Sequence, residues 1–117
     1  MEKIISIMQI KINDILWTFS LVKGTDSNLL YDSDFNYGIT CYNDAHVYIS
    51  KDLPIDLRKR TLLHEIVHAM LFSYMLRKYE SFTEEEMADF VAKYFEQIYT
   101  ISNDIARGWE NELRTEN

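Results

Sequence analysis

Two histidines and a carboxylate interrupt an apolar run at residues 61–72, T-L-L-H-E-I-V-H-A-M-L-F. Taken as a helix, the run puts His64 and His68 four residues apart on one face, with Cβ atoms roughly 5–6 Å from each other. At that separation two imidazoles can hold one metal ion, the H-E-x-x-H arrangement of zinc hydrolases. Glu65 stands beside the pair, placed to reach a water molecule without being a ligand itself. A catalytic zinc takes three protein ligands and keeps a fourth position for water or substrate, so a third ligand must come from elsewhere in the chain.

One acidic source is the run Glu84-Glu85-Glu86. These residues open a second helical pattern that a short turn returns against the first, which would bring one carboxylate to the histidine face. A local reading competes with this one. Thr83 and Glu86 form a capping box, and carboxylates in a first turn complement the helix dipole. Periodicity does not choose between Glu85 and Glu86 as the ligand. Asp89, farther along the same helix, is either a partner that orients a ligating histidine or a surface carboxylate.

The elements that must position these groups follow from patterning. Residues 3–12 alternate Met8, Ile10 and Ile12 against Gln9, Lys11 and Asn13, as a half-buried strand does. Asn13-Asp14 reads as a tight turn into a second strand over residues 15–22. Residues 24–37 collect Gly, Asp, Ser and Asn around a few large apolar residues and read as a long, partly packed connection. Residues 38–42 and 45–50 form a second hairpin, with Ala45, Val47 and Ile49 alternating against His46, Tyr48 and Ser50. His46 is expected to be exposed or hydrogen-bonded, not a ligand. Residues 45–50 also suggest an edge on which an extended peptide could add as a strand.

Pro54 suits the first turn of the metal-motif helix, with Asp52 or Asp56 as its cap, and the helix is expected to reach Lys78. The second helix carries Met87, Phe90, Val91, Tyr94, Phe95 and Ile98 at helical spacing, a stripe expected to pack in the core. Residues 103–117 read as a short helical extension that frays, although its Trp109 could dock back. The expected fold is therefore α+β: one domain over residues 1–117, with a small N-terminal antiparallel sheet packed on the H-E-x-x-H helix and a second C-terminal helix.

Composition narrows the function classes. At 117 residues there is room for one core and one site. A net charge of −7 argues against nucleic-acid binding, which needs a clustered basic face; the one basic run, Arg58-Lys59-Arg60, reads as a solvated patch. The single cysteine, Cys41, excludes an intrachain disulfide and suits a reducing compartment. Gln9, Lys11, Asn13 and Asp14 interrupt any secretory segment, and no stretch approaches a membrane span, so a cytoplasmic location without membrane contact is expected.

His64-Glu65-Ile66-Val67-His68-Ala69 followed by Glu86-Met87-Ala88-Asp89-Phe90-Val91-Ala92 resembles the ImmA/IrrE-type metallopeptidases, especially the minimal forms carried by phages and mobile elements. The resemblance is specific over residues 51–98 and general before them. It implies a zincin-like fold of the gluzincin group, a Zn2+ ion on His64, His68 and a downstream glutamate, and a protein or peptide substrate such as a repressor. The family's ligand glutamate falls on Glu86, four residues before Phe90. Two positions depart from the family pattern, Met87 where alanine is common and Ala88 where asparagine is common. Glu85 and Asp89 keep the Glu-x-x-x-Asp spacing of larger gluzincins, so Glu85 stays an alternative ligand. The implied chemistry is metal-assisted peptide hydrolysis, with Glu65 taking a proton from water and returning it to the leaving amine. Tyr74, Tyr79 and His46 are candidates to stabilise the oxyanion. A reading of another class, a zinc-stabilised protein-binding module without proteolytic activity, is marked by four protein ligands and no open position.

Overall fold

The computed structural model describes residues 4–75 and 81–115, with strands β1 (Ile4–Ile12), β2 (Ile15–Val22), β3 (Leu30–Tyr31), β4 (Asp34–Phe35), β5 (Gly38–Cys41) and β6 (His46–Ser50) and helices α1 (Ile55–Met75) and α2 (Glu84–Thr115). The α+β expectation holds at this level: a small sheet lies against two helices.

β1 and β2 form the expected hairpin, with Ile12 opposite Ile15. Asn13 and Asp14 both take positive φ, 46° and 68°, the conformation that a two-residue turn of matching twist requires and that Asn and Asp tolerate. The Asn13 side chain also donates from Nδ2 to the Ser73 carbonyl at 2.9 Å, tying the turn to α1. Along β2 the inward residues Trp17, Phe19 and Leu21 are fully buried. The Trp17 indole N–H is satisfied by Ser73 Oγ at 2.7 Å, so both polar groups sit in the interior without cost of an unmade bond.

One strand pair departs from the antiparallel expectation. The sheet order is β1-β2-β6-β5, and β6 runs parallel to β2, with Phe19 opposite Val47 and Leu21 opposite Ile49. The reason lies in the connection. After β2 the chain passes through a 3-10 turn at Ser27–Leu29 and the small β3–β4 hairpin, then lays β5 one place beyond β2's neighbour. The tight turn after β5 returns β6 antiparallel to β5 into the gap, and it must therefore run parallel to β2. In consequence β6 is an interior strand and β5 is the edge, so residues 45–50 offer no free edge.

α1 buries Leu62, Ile66, Ala69 and Met70 on the sheet. Neither aspartate caps it: Arg58 N–H bonds the Pro54 carbonyl at 2.9 Å, while Asp52 Oδ2 accepts from the Gly24 N–H at 2.7 Å. The expected end at Lys78 lies outside the described residues. α2 begins on the predicted capping box. Glu86 N–H donates to Thr83 Oγ1 at 3.1 Å and Thr83 N–H donates to Glu86 Oε1 at 3.0 Å.

The fraying expected after residue 103 is not observed, and α2 continues unbroken to Thr115. Ile98, Ile101, Ile105 and Trp109 keep a buried stripe in step with the helix, at 6%, 6%, 0% and 1% exposed, and this stripe holds the C-terminal turns on β1. Among the described residues no helix is long and apolar enough to cross a membrane.

Candidate metal centre

His64, Glu65 and His68 lie on the face of α1 that meets the edge strand β5. The His64 and His68 Nε2 atoms are 3.2 Å apart, with ring centroids at 4.9 Å. Two nitrogens bound to one tetrahedral zinc at about 2.0–2.1 Å stand roughly 3.3–3.4 Å from each other. The pair therefore has the spacing of two ligands of one ion. The Tyr42 hydroxyl lies 3.4 Å from His68 Nδ1. A proton on Nδ1 directed to that oxygen leaves the Nε2 lone pair pointing at His64, the usual device for orienting a ligating imidazole. Burial lowers the His68 pKa, and the neighbouring Glu65 carboxylate only partly opposes it. The ring is thus held toward its neutral form, which has the lone pair a metal needs.

Glu65 is 7% exposed. Its Oε1 accepts from Thr40 Oγ1 at 2.8 Å, and its Oε2 is 4.0 Å from His64 Nε2. One oxygen is fixed by the sheet while the other faces the histidine pair. Gly38 makes this approach possible. A Cβ there would lie 2.8 Å from Thr61 Cγ2 and Ile49 Cδ1 and 3.1 Å from Glu65 Cγ, so α1 seats on β5 only because the position has no side chain. Gly38→Ala is expected to lower unfolding stability by about 1–3 kcal/mol, the usual cost of overpacking, measured as a lower midpoint in urea at unchanged m-value.

Two cavities flank Glu65, of about 450 Å³ beside His64 and about 220 Å³ beside His68. Asn36 and Glu65 line both. Tyr37 and Arg60 contribute to the larger cavity, Tyr31 and Tyr42 to the smaller.

The third ligand is not assembled in this arrangement. Among the described residues no three His, Cys, Asp or Glu side chains converge as a metal-holding group. Glu86 engages Thr83 in the capping box, Glu85 is exposed, and Asp89 is exposed on the surface of α2. The donor chemistry and spacing thus fit zinc at two positions.

The oxyanion candidates are also dispersed. The Tyr74 hydroxyl donates to Gln97 Oε1 at 3.1 Å and its ring stacks on Tyr94 at 4.4 Å, on the α2 side of α1. His46 Nε2 pairs with Ser20 Oγ at 2.7 Å and its ring stacks on Tyr48 at 4.0 Å, as expected of a hydrogen-bonded strand histidine. Tyr79 lies outside the described residues. The groups that do reach the site, Thr40 and Tyr42, were not singled out from sequence. The available signal was alternation: Gly38, Thr40 and Tyr42 fall two residues apart, along β5 and the residue just after it.

Compared with family models, curated proteins and solved structures, the chain matches none of them.

Proposed function

We propose that the protein is a zinc-dependent peptidase, and that His64 and His68 hold the metal with Glu86 as third ligand. The observation that carries this reading is the 3.2 Å approach of the two Nε2 atoms beside a buried carboxylate held by Thr40. Bound zinc supplies Lewis acidity, polarising a carbonyl and making water a nucleophile near neutral pH. The chain's own groups do the rest. Thr40 fixes Glu65 so that Oε2 can take a proton from the attacking water and return it to the leaving amine. Tyr42 orients His68. As third ligand, Glu86 would have to give up the hydrogen bond it accepts from Thr83; Glu85 is the alternative, and Glu86→Gln against Glu85→Gln separates them by which one weakens zinc binding.

The substrate class in this proposal is a protein or peptide, such as a repressor, with the two cavities beside Glu65 taking side chains on either side of the scissile bond. A zinc-stabilised binding module without proteolysis is the second reading. It draws on the exposed aromatic residues Tyr31, Phe35 and Tyr37, 72%, 49% and 58% exposed, which could dock a partner without chemistry.

Zinc titration of the wild-type protein, followed by incubation with an unstructured protein such as casein, tests the proposal. One equivalent of zinc and zinc-dependent cleavage are expected. His68→Ala should lower zinc affinity at least about tenfold, the lower end of what losing even a group that orients a ligand does to a metal site. Wild-type zinc affinity in that variant would sink the assignment, and zinc binding without cleavage of any protein would favour the binding module.

A further inference from the structure

Helix α2 carries two apolar stripes, and the fold of one copy uses only one of them. The sequence expectation placed Val91 and Phe95 with Phe90 and Ile98 in a single core stripe; the structure buries Phe90 and Ile98 and leaves the other two outside. Val91, Phe95 and Tyr99 recur every four residues and are 43%, 58% and 58% exposed, with Ala88 and Ala92 exposed beside them. Phe95 and Tyr99 lie ring beside ring at 6.1 Å, so the stripe is continuous. Leu63 of α1, 40% exposed, extends it into a groove of about 370 Å³ between the helices.

Charge divides the stripe into two ends. Lys59, Arg60 and Arg107 line the groove at one end with a single carboxylate, Glu110, beside them, so the groove is net cationic in a chain of net charge −7 with only twelve basic residues. Glu84, Glu85 and Asp89 stand exposed at the other end. The basic run that composition alone assigned to solvent thus faces one end of an apolar surface whose other end is acidic.

We propose that this face joins two copies of the chain as an antiparallel dimer. Pairing two α2 helices about Phe95 sets Val91 against Tyr99, Ala88 against Ser102, and Glu84 against Ala106 beside Arg107. The contact of small residues, Ala88 against Ser102, and its symmetry mate lie one heptad from the centre, the repeat by which helices keep a common seam. Each acidic helix start then meets the partner's cationic groove. A two-fold interface uses the same patch on both copies and so must be complementary to itself, as this one is. A parallel pairing would set acid on acid and base on base. A nucleic acid drawn to the groove would meet the acidic half of the stripe. The two cavities beside Glu65 include no residue of α2, and Arg60 alone is shared between the larger of them and the groove.

Sedimentation equilibrium of the full chain at near-physiological salt tests this, with thermal melting to show that each variant is folded. Wild type is expected at twice the 13.9 kDa chain mass. Phe95→Glu, at an exposed position, is expected to keep a cooperative melting transition and to raise the dissociation constant about thirtyfold or more, as loss of a central aromatic anchor does. Glu84→Lys or Arg107→Glu alone should weaken the dimer about fivefold, because symmetry counts each surface pair twice. The two reversals combined in one chain should restore it. A wild-type protein monomeric at a few hundred micromolar, a dimer indifferent to Phe95→Glu, or a double reversal no tighter than either single one overturns the proposal.

Discussion

Glu65→Gln is expected to bind zinc as wild type does and to cleave peptide bonds about 10²- to 10⁴-fold more slowly, the range a positioned general base contributes. The substitution suits the site. The amide keeps an oxygen that can accept from Thr40 Oγ1, now bonded to Oε1 at 2.8 Å, and it keeps the volume that packs below Gly38. What it removes is a second oxygen able to take a proton near the histidine pair. Zinc titration and cleavage rate measured on the same preparation check it. Retained zinc with wild-type turnover would remove Glu65 from the mechanism while leaving the metal site standing. Lost zinc would mean that the carboxylate holds His64 in place and is not only a base.

Trp109→Ala is expected to lower unfolding stability by about 3–5 kcal/mol, the cost of emptying a large buried aromatic site. That is a large share of the roughly 5–15 kcal/mol by which a domain is stable. Trp109 is 1% exposed and belongs to the core cluster with Ile105 and Ile101. Its loss should also unpin the last turns of α2, so helix content by circular dichroism should fall before the main transition. Trp109→Phe is the informative companion. The indole Nε1 is buried without a hydrogen-bond partner among the described residues. Phenylalanine deletes that unsatisfied donor along with some packing, so it should cost markedly less than alanine. Urea unfolding of both variants gives the comparison. Equal losses would mean that the volume phenylalanine keeps contributes nothing, and that the position needs the full indole shape.

Local geometry explains why part of this architecture is legible from sequence. His64 and His68 meet because any helix places residues four apart on one face, so their spacing in the chain already contained the geometry of the pair. Asn13-Asp14 announced the β1–β2 turn because those residues accept the positive φ it needs. Thr83 and Glu86 announced the start of α2 because a capping box closes within four residues. In each case the interacting groups are neighbours in the chain, and no distant element has to be known.

Other features depended on contacts that only the tertiary structure supplies. Thr40 and Tyr42 reach Glu65 and His68 from 25 and 26 residues away, and they do so because β5 lies at the sheet edge against α1. That edge position followed from β6 filling the gap beside β2, a choice of strand order that alternation within single strands does not encode. On α2, Val91 and Phe95 have the same period as Phe90 and Ile98, so patterning alone could not tell which stripe would be covered. The sheet and α1 decided it by lying on one side of the helix. The sequence by itself determined a histidine pair with a carboxylate on an apolar helix; the tertiary structure decided that β5 holds that carboxylate and that one apolar face of α2 stays outside, because both outcomes depend on how elements far apart in the chain pack together.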